Sequence, residues 1–237
     1  MLGSGASRSL VCRPFARVLM VSAACAGLVG FGETRAQPAA SAPSEERRIV
    51  VLGDSLAAGL GVEPGQAFPA LLQGKINNVG GRDRVVNAGV SGDTSADGLA
   101  RIDWLLKQRT DVLILELGGN DGLRGLPASA TKTNLQAIIN QVKRKAPQAQ
   151  IVLAGMQMPP NMGQDYMDSF KRIFPELAEE NHAALVPFLL EGVGGRPELN
   201  QPDHIHPTAE GHKIVAENVW KVLGPMLARG PEGRIFH

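Results

Sequence analysis

Short runs of aliphatic residues alternate along the chain with longer stretches in which apolar residues recur at helical spacing. The aliphatic runs predict five strands, at residues 49–52, 85–88, 111–117, 151–154 and 184–188. The helical spacing predicts five helices, at residues 68–76, 95–107, 131–146, 165–181 and 208–228. Because the strands are continuously apolar rather than alternating, each should be buried on both faces. The pattern therefore predicts one α/β domain with a parallel sheet between two layers of helices.

The N-terminal segment has the order of features that defines a secretory signal peptide. Residues 1–17 contain three arginines and no acidic residue, and an apolar run follows at residues 18–31. This run is shorter than the ~20 residues that cross a bilayer, and Thr34-Arg35-Ala36 closes the segment with a small residue. A buried first helix and a lipid-attachment site at Cys25 are the alternatives. We interpret residues 1–36 as the signal peptide of an exported protein, periplasmic or secreted.

Cleavage after Ala36 would define the composition of the mature chain. It would remove both cysteines, Cys12 and Cys25, so the exported chain would have no disulfide, no thiolate nucleophile and no cysteine metal ligand. Residues 37–48 are rich in Ala, Pro, Ser and Glu and predict a flexible lead-in. Residues 49–230 then form the folded domain. We expect no stable membrane insertion of this mature chain, and a monomer is favoured.

Composition and charge exclude several classes of partner. The chain has 24 Lys and Arg against 23 Asp and Glu. This near-balance argues against nucleic acid, because phosphate-binding surfaces show a basic excess. Aromatic residues make up only 4% of the chain, too few for a surface that stacks sugars or bases on several rings. The expected partner is therefore a small-molecule substrate.

Polar motifs follow the predicted strands at the points where function gathers in parallel sheets, namely the carboxyl ends of the strands. Three motifs end strands, and a fourth precedes the last helix: Gly53-Asp54-Ser55-Leu56, Gly89-Val90-Ser91-Gly92-Asp93, Gly118-Gly119-Asn120-Asp121 and Asp203-His204-Ile205-His206-Pro207. Together they contain a serine, a glycine-rich turn, an asparagine amide and an Asp/His pair. Acyl transfer needs this set of groups: a nucleophile, an oriented base and donors for an oxyanion.

Ser55 and the Asp/His motif are the candidates for nucleophile and base. Ser55 would lie at a helix N-terminus, where backbone N–H groups favour negative charge, and its hydroxyl needs a base. His206 precedes Pro207, which biases it to an extended backbone, and Asp203 could accept from one of its ring nitrogens. His204 is the competing base. An ordinary N-cap serine and a surface histidine are the alternative interpretations.

Three groups are candidate donors to an oxyanion. They are the backbone N–H groups of Ser55 and Gly92 and the side-chain amide of Asn120. Taken singly, Gly92 and Asn120 are residue types that are common in ordinary turns. Their occurrence at corresponding strand ends makes the joint interpretation stronger than either alone.

Other chemistries find weaker support. A metal site could use His204, His206, His212 and Asp203, but only one His-x-His pair is present, so we expect no metal. Neither Ser55 nor Ser91 lies in the G-x-S-x-G elbow of α/β-hydrolases. The sequence also has no Walker phosphate-binding loop. No cofactor is implied.

The four motifs resemble sequence blocks of the GDSL, or SGNH, hydrolase family. The segments that carry the resemblance are Gly53-Asp54-Ser55-Leu56, Ser91-Gly92-Asp93-Thr94-Ser95, Gly118-Gly119-Asn120-Asp121 and Asp203-His204-Ile205-His206-Pro207. They occur in the family's order across most of the predicted domain. The resemblance implies a three-layer α/β/α, flavodoxin-like fold with a five-stranded parallel sheet in the order 2-1-3-4-5.

The resemblance also implies roles for single residues. Ser55 would be the nucleophile, His206 the base and Asp203 the acid that orients it. The N–H groups of Ser55 and Gly92 and the side chain of Asn120 would form the oxyanion hole. The implied activity is hydrolysis of acyl or aryl esters, thioesters or lysophospholipids through an acyl-enzyme. Two other functions stay open: a glycan O-deacetylase with the same catalytic residues, and a non-catalytic binding module.

Two segments are candidates for contact with the acyl group. The resemblance suggests that the loop at residues 122–127, with Leu123 and Leu126, lines the acyl site. Met158 lies in a methionine-rich segment, residues 156–162. Because methionines form a pliable apolar wall, we hypothesise a groove that tolerates medium-chain or aryl esters. The alternative is that these methionines fill the core.

Overall fold

The structure of this protein, a computed structural model, describes residues 46–229. Its strands are β1 (Arg48–Gly53), β2 (Arg84–Gly89), β3 (Val112–Glu116), β4 (Gln150–Ala154) and β5 (Ala184–Val186). All neighbouring strands are parallel, and they form one sheet in the order β2-β1-β3-β4-β5. This order confirms the predicted flavodoxin-like topology. The predicted signal peptide and most of the predicted lead-in lie outside the described residues and stay predictions.

Helices follow the strands along the described part of the chain. They are α1 (Ser55–Ala58), α2 (Phe68–Asn78), α3 (Ser95–Leu105), α4 (Gly119–Leu123), α5 (Ala128–Lys145), α6 (Gln164–Asn181) and α7 (Ala209–Arg229). Helix α2 packs against α7, and α3, α5 and α6 form a second packed group. None of the helices within residues 46–229 has the length and apolar content that a membrane span needs.

Burial of the strand residues explains the continuous apolar runs in the sequence. Successive side chains of a strand point to opposite faces of the sheet. In β1 the four residues from Ile49 to Leu52 are all buried, so both faces of this central strand are covered. Strand β2 differs, because it lies at the edge of the sheet and its side chains are partly or fully exposed. The expectation of full burial was therefore wrong for β2, and β5 at the other edge is only partly buried.

Element boundaries differ from the prediction by up to three residues. The largest shift is at α5, which begins at Ala128 directly after Pro127 rather than at Thr131. The short helix α4 was not predicted, and α1 was expected only as a helix N-terminus at Ser55, since four or five residues are too few to show helical spacing. Both lie at carboxyl ends of strands, and they carry Ser55 and Asn120. The elements that position the predicted site are thus the ones with the weakest periodic signal.

Candidate active site

Ser55 is the first residue of α1 and follows the end of β1 after a single residue, Asp54. The Asp54 side chain caps the helix, because its Oδ1 accepts the backbone N–H of Leu56 at 3.0 Å. Gly59 ends the helix with a positive φ of 76°, a conformation that glycine adopts at little cost. This tight strand-to-helix turn leaves the Ser55 hydroxyl at the carboxyl edge of the sheet.

His206 lies within hydrogen-bond distance of both other predicted triad residues. Its Nε2 is 2.8 Å from Ser55 Oγ, and its Nδ1 is 2.6 Å from Asp203 Oδ2. The second oxygen of Asp203 accepts the backbone N–H groups of Ile205 and His206, at 2.9 and 3.0 Å. The structure therefore brings Ser55, His206 and Asp203 together in one hydrogen-bonded series, in the order that a Ser-His-Asp triad requires.

The environment of Asp203 keeps its carboxyl ionised. Partial burial acts to raise its pKa, but hydrogen bonds from the backbone and ring of His206 and from the backbone of Ile205 outweigh burial and lower the pKa to about 2. An ionised Asp203 accepts a hydrogen bond from His206 Nδ1, which therefore carries the proton of the neutral ring. The unprotonated Nε2 then faces Ser55 and can take its proton.

His204 does not occupy the position of the base. Its backbone has a positive φ of 60°, and its N–H donates to the carbonyl of Gln201 at 2.9 Å. Its side chain lines the same cavity as Ser55, but within residues 46–229 the Ser55 hydroxyl bonds to His206. The geometry thus favours His206 over the competing base.

Asn120, on α4, holds together two of the predicted strand-end motifs. Its Nδ2 donates to Asp54 Oδ2 at 3.1 Å and to the carbonyl of Asp93 at 2.9 Å. Both amide N–H groups are therefore engaged in this structure, and an oxyanion must displace one of these acceptors. Nearby, Gly92 has a positive φ of 89°, and its carbonyl accepts from Arg124 Nη2 at 2.9 Å. The oxyanion role of Gly92 and Asn120 stays a prediction.

Sequence reasoning missed two buried carboxyls beside the nucleophile. Asp54 and Glu116 are both almost fully buried, and Glu116 Oε2 accepts the backbone N–H of Asp54 at 3.1 Å. Glu116 lies at the end of β3 and was treated only as part of an apolar strand. A charged residue inside such a run was the available signal, because carboxyls are rarely buried without a specific partner.

A cavity of about 580 Å³ opens beside Ser55 and His206. Its apolar wall includes Leu123, Met156, Met158, Met167, Phe188, Leu190 and Ile205. Met158 is also packed tightly, since a side chain at Gly122 would clash with its sulfur. Met158 therefore contributes to the groove and to the core at once.

Leu126 does not contribute to this cavity, contrary to the expectation from the resemblance. It is not among the described residues that line the cavity. Its carbonyl accepts from the hydroxyl of Tyr166 at 2.8 Å. The hydrogen bond fixes the end of the 122–127 loop, while Leu123, earlier in the loop, faces the cavity.

The residues considered for a metal site do not converge. Among residues 46–229, the structure contains no group of three His, Cys, Asp or Glu side chains placed to hold a metal ion. His212 is on α7, where it is buried and its Nδ1 has no hydrogen-bond partner among the described residues.

Burial of His212 predicts a pH-dependent stability. Burial, and then the nearby charge of His206, lowers the pKa of His212 to about 4, whereas an unfolded histidine titrates near 6.5. As the pH falls from about 6.5 to about 4, the unfolded state gains a proton that the folded state does not bind, so the free energy of unfolding decreases. Urea titrations at several pH values should show a smaller decrease for His212→Gln. An identical decrease in both proteins would contradict this role.

The fold and the site define a class of enzyme. The parallel sheet lies between two layers of helices, and a hydrogen-bonded Ser-His-Asp series lies at the carboxyl ends of its strands. This arrangement is the framework of a serine hydrolase. The chain belongs to the GDSL-like lipase/acylhydrolase family, whose family model matches residues 51–214. This finding confirms the resemblance seen in the four sequence motifs.

Known relatives support the same assignment. Esterase TesA of Pseudomonas aeruginosa is 44% identical over 180 residues, which are 76% of this chain and 89% of that protein. Thioesterase 1/protease 1/lysophospholipase L1 of Escherichia coli is 41% identical over 180 residues, 76% of this chain and 84% of that protein. The psychrotrophic esterase EstA from Pseudoalteromonas sp., solved in a form inhibited by monoethylphosphonate, is 31% identical with a TM-score of 0.72 and covers 77% of this chain and 99% of that one. The present protein is accordingly an enzyme that hydrolyses ester bonds.

Proposed function

We propose that this protein is an exported serine esterase or thioesterase that works through an acyl-enzyme. The carrying observation is the 2.8 Å contact between Ser55 Oγ and His206 Nε2, with Nδ1 held by Asp203. Ser55 attacks the carbonyl carbon while His206 takes the hydroxyl proton and then returns it to the leaving alcohol or thiol. Water repeats the cycle on the acyl-enzyme and releases the acid.

The proposed oxyanion hole consists of the N–H groups of Ser55 and Gly92 and the side chain of Asn120. Support comes from the position of Asn120, whose amide contacts Asp54 next to Ser55 and the carbonyl of Asp93 next to Gly92. As negative charge develops on the substrate oxygen, the Asn120 amide gives up its hydrogen bond to either the Asp54 carboxyl or the Asp93 carbonyl. It then donates that N–H to the oxyanion. Loss of one such donor typically lowers the rate 10²- to 10³-fold.

The proposed substrates are acyl or aryl esters, thioesters and lysophospholipids whose acyl or aryl group is apolar. The cavity wall is mainly apolar, and the described residues that line it include no lysine or arginine. Relatives named esterase and thioesterase/lysophospholipase support the same range. Apolar pockets discriminate by only about 1–3 kcal/mol per methylene, so a broad tolerance in chain length is expected.

Turnover of a substrate panel tests this proposal. The panel holds p-nitrophenyl esters of increasing acyl length, acyl-CoA thioesters and acetylated glycans. We expect hydrolysis of the aryl esters and of at least one thioester. Acetate release from glycans alone would favour the O-deacetylase, and no turnover of any member would favour the binding module.

Export is proposed from the N-terminal pattern of residues 1–36. Expression of the full chain in a Gram-negative host should yield a periplasmic or secreted product that begins near Gln37. Mass spectrometry of that product identifies its first residue. A product that retains Met1 would contradict the signal peptide, and a lipid-modified product beginning at Cys25 would favour the lipoprotein alternative.

Replacement of Met158 with arginine should shift the preference toward short acyl chains. Arginine would place a charge in the apolar wall beside Met156 and Leu190. We expect kcat/KM for an octanoyl ester to fall roughly tenfold to 100-fold, with a much smaller change for the acetyl ester. A chain-length series on p-nitrophenyl esters measures the shift.

Two comparisons make the Met158→Arg result interpretable. Met158→Leu keeps the apolar volume and should keep the wild-type preference, and thermal unfolding monitors the fold of each variant. Leu126→Arg is the second control. Because Leu126 is not part of the cavity lining, this variant should keep the wild-type chain-length preference, whereas the sequence-based expectation predicts a shift. No change in preference for folded Met158→Arg would refute the groove hypothesis.

A further inference from the structure

Behind the nucleophile, two buried acidic residues at the ends of neighbouring strands are joined by a hydrogen bond from the backbone of one to the carboxyl of the other. Asp54 follows β1 and is 2% exposed, and Glu116 ends β3 and is fully buried. Glu116 Oε2 accepts the backbone N–H of Asp54 at 3.1 Å, and a side chain at Gly53 would clash with the same oxygen. The other oxygen, Oε1, has no hydrogen-bond partner among the described residues. Glu116 is thus held in place with one oxygen unsatisfied.

Asp54 connects this carboxyl to the predicted oxyanion donor. Its Oδ1 accepts the N–H of Leu56 at 3.0 Å, and its Oδ2 accepts Nδ2 of Asn120 at 3.1 Å. A change in the charge of Asp54 therefore acts directly on the amide of Asn120. The same amide donates its other N–H to the carbonyl of Asp93.

The charges that face this pair favour a single negative charge. Burial raises the pKa of Asp54 to about 6, against hydrogen bonds from Leu56 and Asn120 and the charge of His206. Asp93 raises it further, although Arg101 pairs with Asp93 at 2.6 Å. Burial, and then the charge of Asp54, raises the pKa of Glu116 well above its usual range. Two neighbouring buried carboxyls resist ionising together at neutral pH, because each charge raises the pKa of the other group.

We propose that Asp54 and Glu116 share one proton and act as positioning residues that set the direction of the Asn120 amide during ester hydrolysis. The proposal rests on the function proposed above and adds two residues to it. A shared proton draws charge from Asp54 and weakens its hold on Nδ2 of Asn120. The amide can then donate to the oxyanion at little cost, and the pair keeps its proton throughout the cycle. When the proton is lost at high pH, the full charge of Asp54 retains the amide and repulsion opens the pair.

Infrared spectroscopy of the resting enzyme tests the shared proton without substrate. At neutral pH the wild-type protein should show the carbonyl stretch of a buried protonated carboxylic acid, and Glu116→Gln should lack it. Asp83→Asn is the matched control, because Asp83 is a buried carboxylate paired with Arg47 at the opposite end of the sheet; it should keep the band. Absence of the band in the wild type would overturn the proposal.

The pH dependence of hydrolysis tests the positioning role. With p-nitrophenyl butyrate, Glu116→Gln should lower kcat at neutral pH roughly threefold to tenfold, the effect of one weakened hydrogen bond, and leave KM nearly unchanged. Its kcat should not show the alkaline decline expected of the wild type, while Asp83→Asn should keep that decline. Asp54→Asn places an amide opposite Asn120. This variant should have a lower kcat and a nearly unchanged KM. The wild-type pH profile in folded Glu116→Gln would overturn the positioning role.

The two experiments distinguish this proposal from the function on which it rests. If the wild-type protein hydrolyses no ester, the proposed function fails, and the infrared band still decides whether the proton is shared. If the wild type is active but shows neither the band nor an altered profile in Glu116→Gln, only the carboxyl pair is refuted. If Glu116→Gln does not fold, the test rests on the infrared band of the wild type and on the kinetics of Asp54→Asn. The band together with a lower kcat would support the carboxyl pair, and absence of either would refute it.

Discussion

Replacement of Ser55 with alanine is expected to lower kcat/KM for ester hydrolysis on the order of 10⁶-fold, the effect that loss of a serine nucleophile has in serine proteases. Without Oγ no acyl-enzyme forms, and His206 has no proton to accept. The fold should persist, because α1 keeps its cap from Asp54 to Leu56 and alanine favours helix. Residual hydrolysis would come from the oxyanion donors and from substrate binding alone.

Intact mass after exposure to a fluorophosphonate measures the nucleophile directly. Wild-type protein should gain one adduct, and peptide mapping should place it on Ser55. Ser91→Ala, which changes an exposed serine of the Gly92 turn, should label like the wild type, while Ser55→Ala should not label. The phosphonate-inhibited form of the esterase EstA supports the choice of reagent. Unchanged turnover in Ser55→Ala would refute the assignment, and no adduct on folded wild type would favour a binding module.

Asp203→Asn is expected to be the second most damaging change, with kcat about 10⁴-fold lower. The backbone N–H groups of Ile205 and His206 both point at Oδ1. They would hold the oxygen of the asparagine amide, so its NH₂ would have to face His206 Nδ1. The imidazole would then carry its proton on Nε2 and could not accept the proton of Ser55. The substitution changes one atom and imposes the wrong tautomer.

Asp203→Ala should retain more activity than Asp203→Asn, although it removes more of the side chain. Alanine leaves Nδ1 open to water, which donates or accepts and therefore permits the productive tautomer. Comparison of kcat for the two variants, with nitrogen NMR of the His206 ring to identify the tautomer, measures the effect. Equal losses, or a greater loss in Asp203→Ala, would contradict the tautomer argument and indicate that the carboxylate acts mainly through its charge.

Spacing along the chain was sufficient to predict alternating strands and helices around a parallel sheet, whereas the strand order was implied by the family resemblance. Apolar runs such as the one at β1 predict buried strands because side chains on both faces must be apolar, and helical spacing predicts the covering layers. The strand-end motifs then indicate one shared site, since the carboxyl ends of parallel strands meet at one edge. Ser55, Asn120, Asp203 and His206 were all found in this way, because each lies next to an element with a clear pattern.

Relations across the fold could not be predicted from spacing. Glu116 contacts Asp54 across 62 positions, and Ser55 meets His206 across 151. Which of two neighbouring histidines faces Ser55 depends on the turn that Asp203 closes and on the left-handed backbone of His204. Leu123 lines the cavity and Leu126 does not, and Tyr166 of a distant helix holds both ends of this part of their loop through the carbonyls of Gly122 and Leu126.

The amino-acid sequence by itself determined the α/β alternation and the chemical types at the strand ends, because these follow from local spacing and residue type. Its motifs also carried the resemblance to the family. Only the tertiary structure showed the hydrogen bond between His206 and Ser55, the partners of Asn120, the lining of the cavity and the buried contact of Glu116 with Asp54. These depend on how strands and helices pack, and packing brings together side chains whose separation along the chain carries no periodic signal.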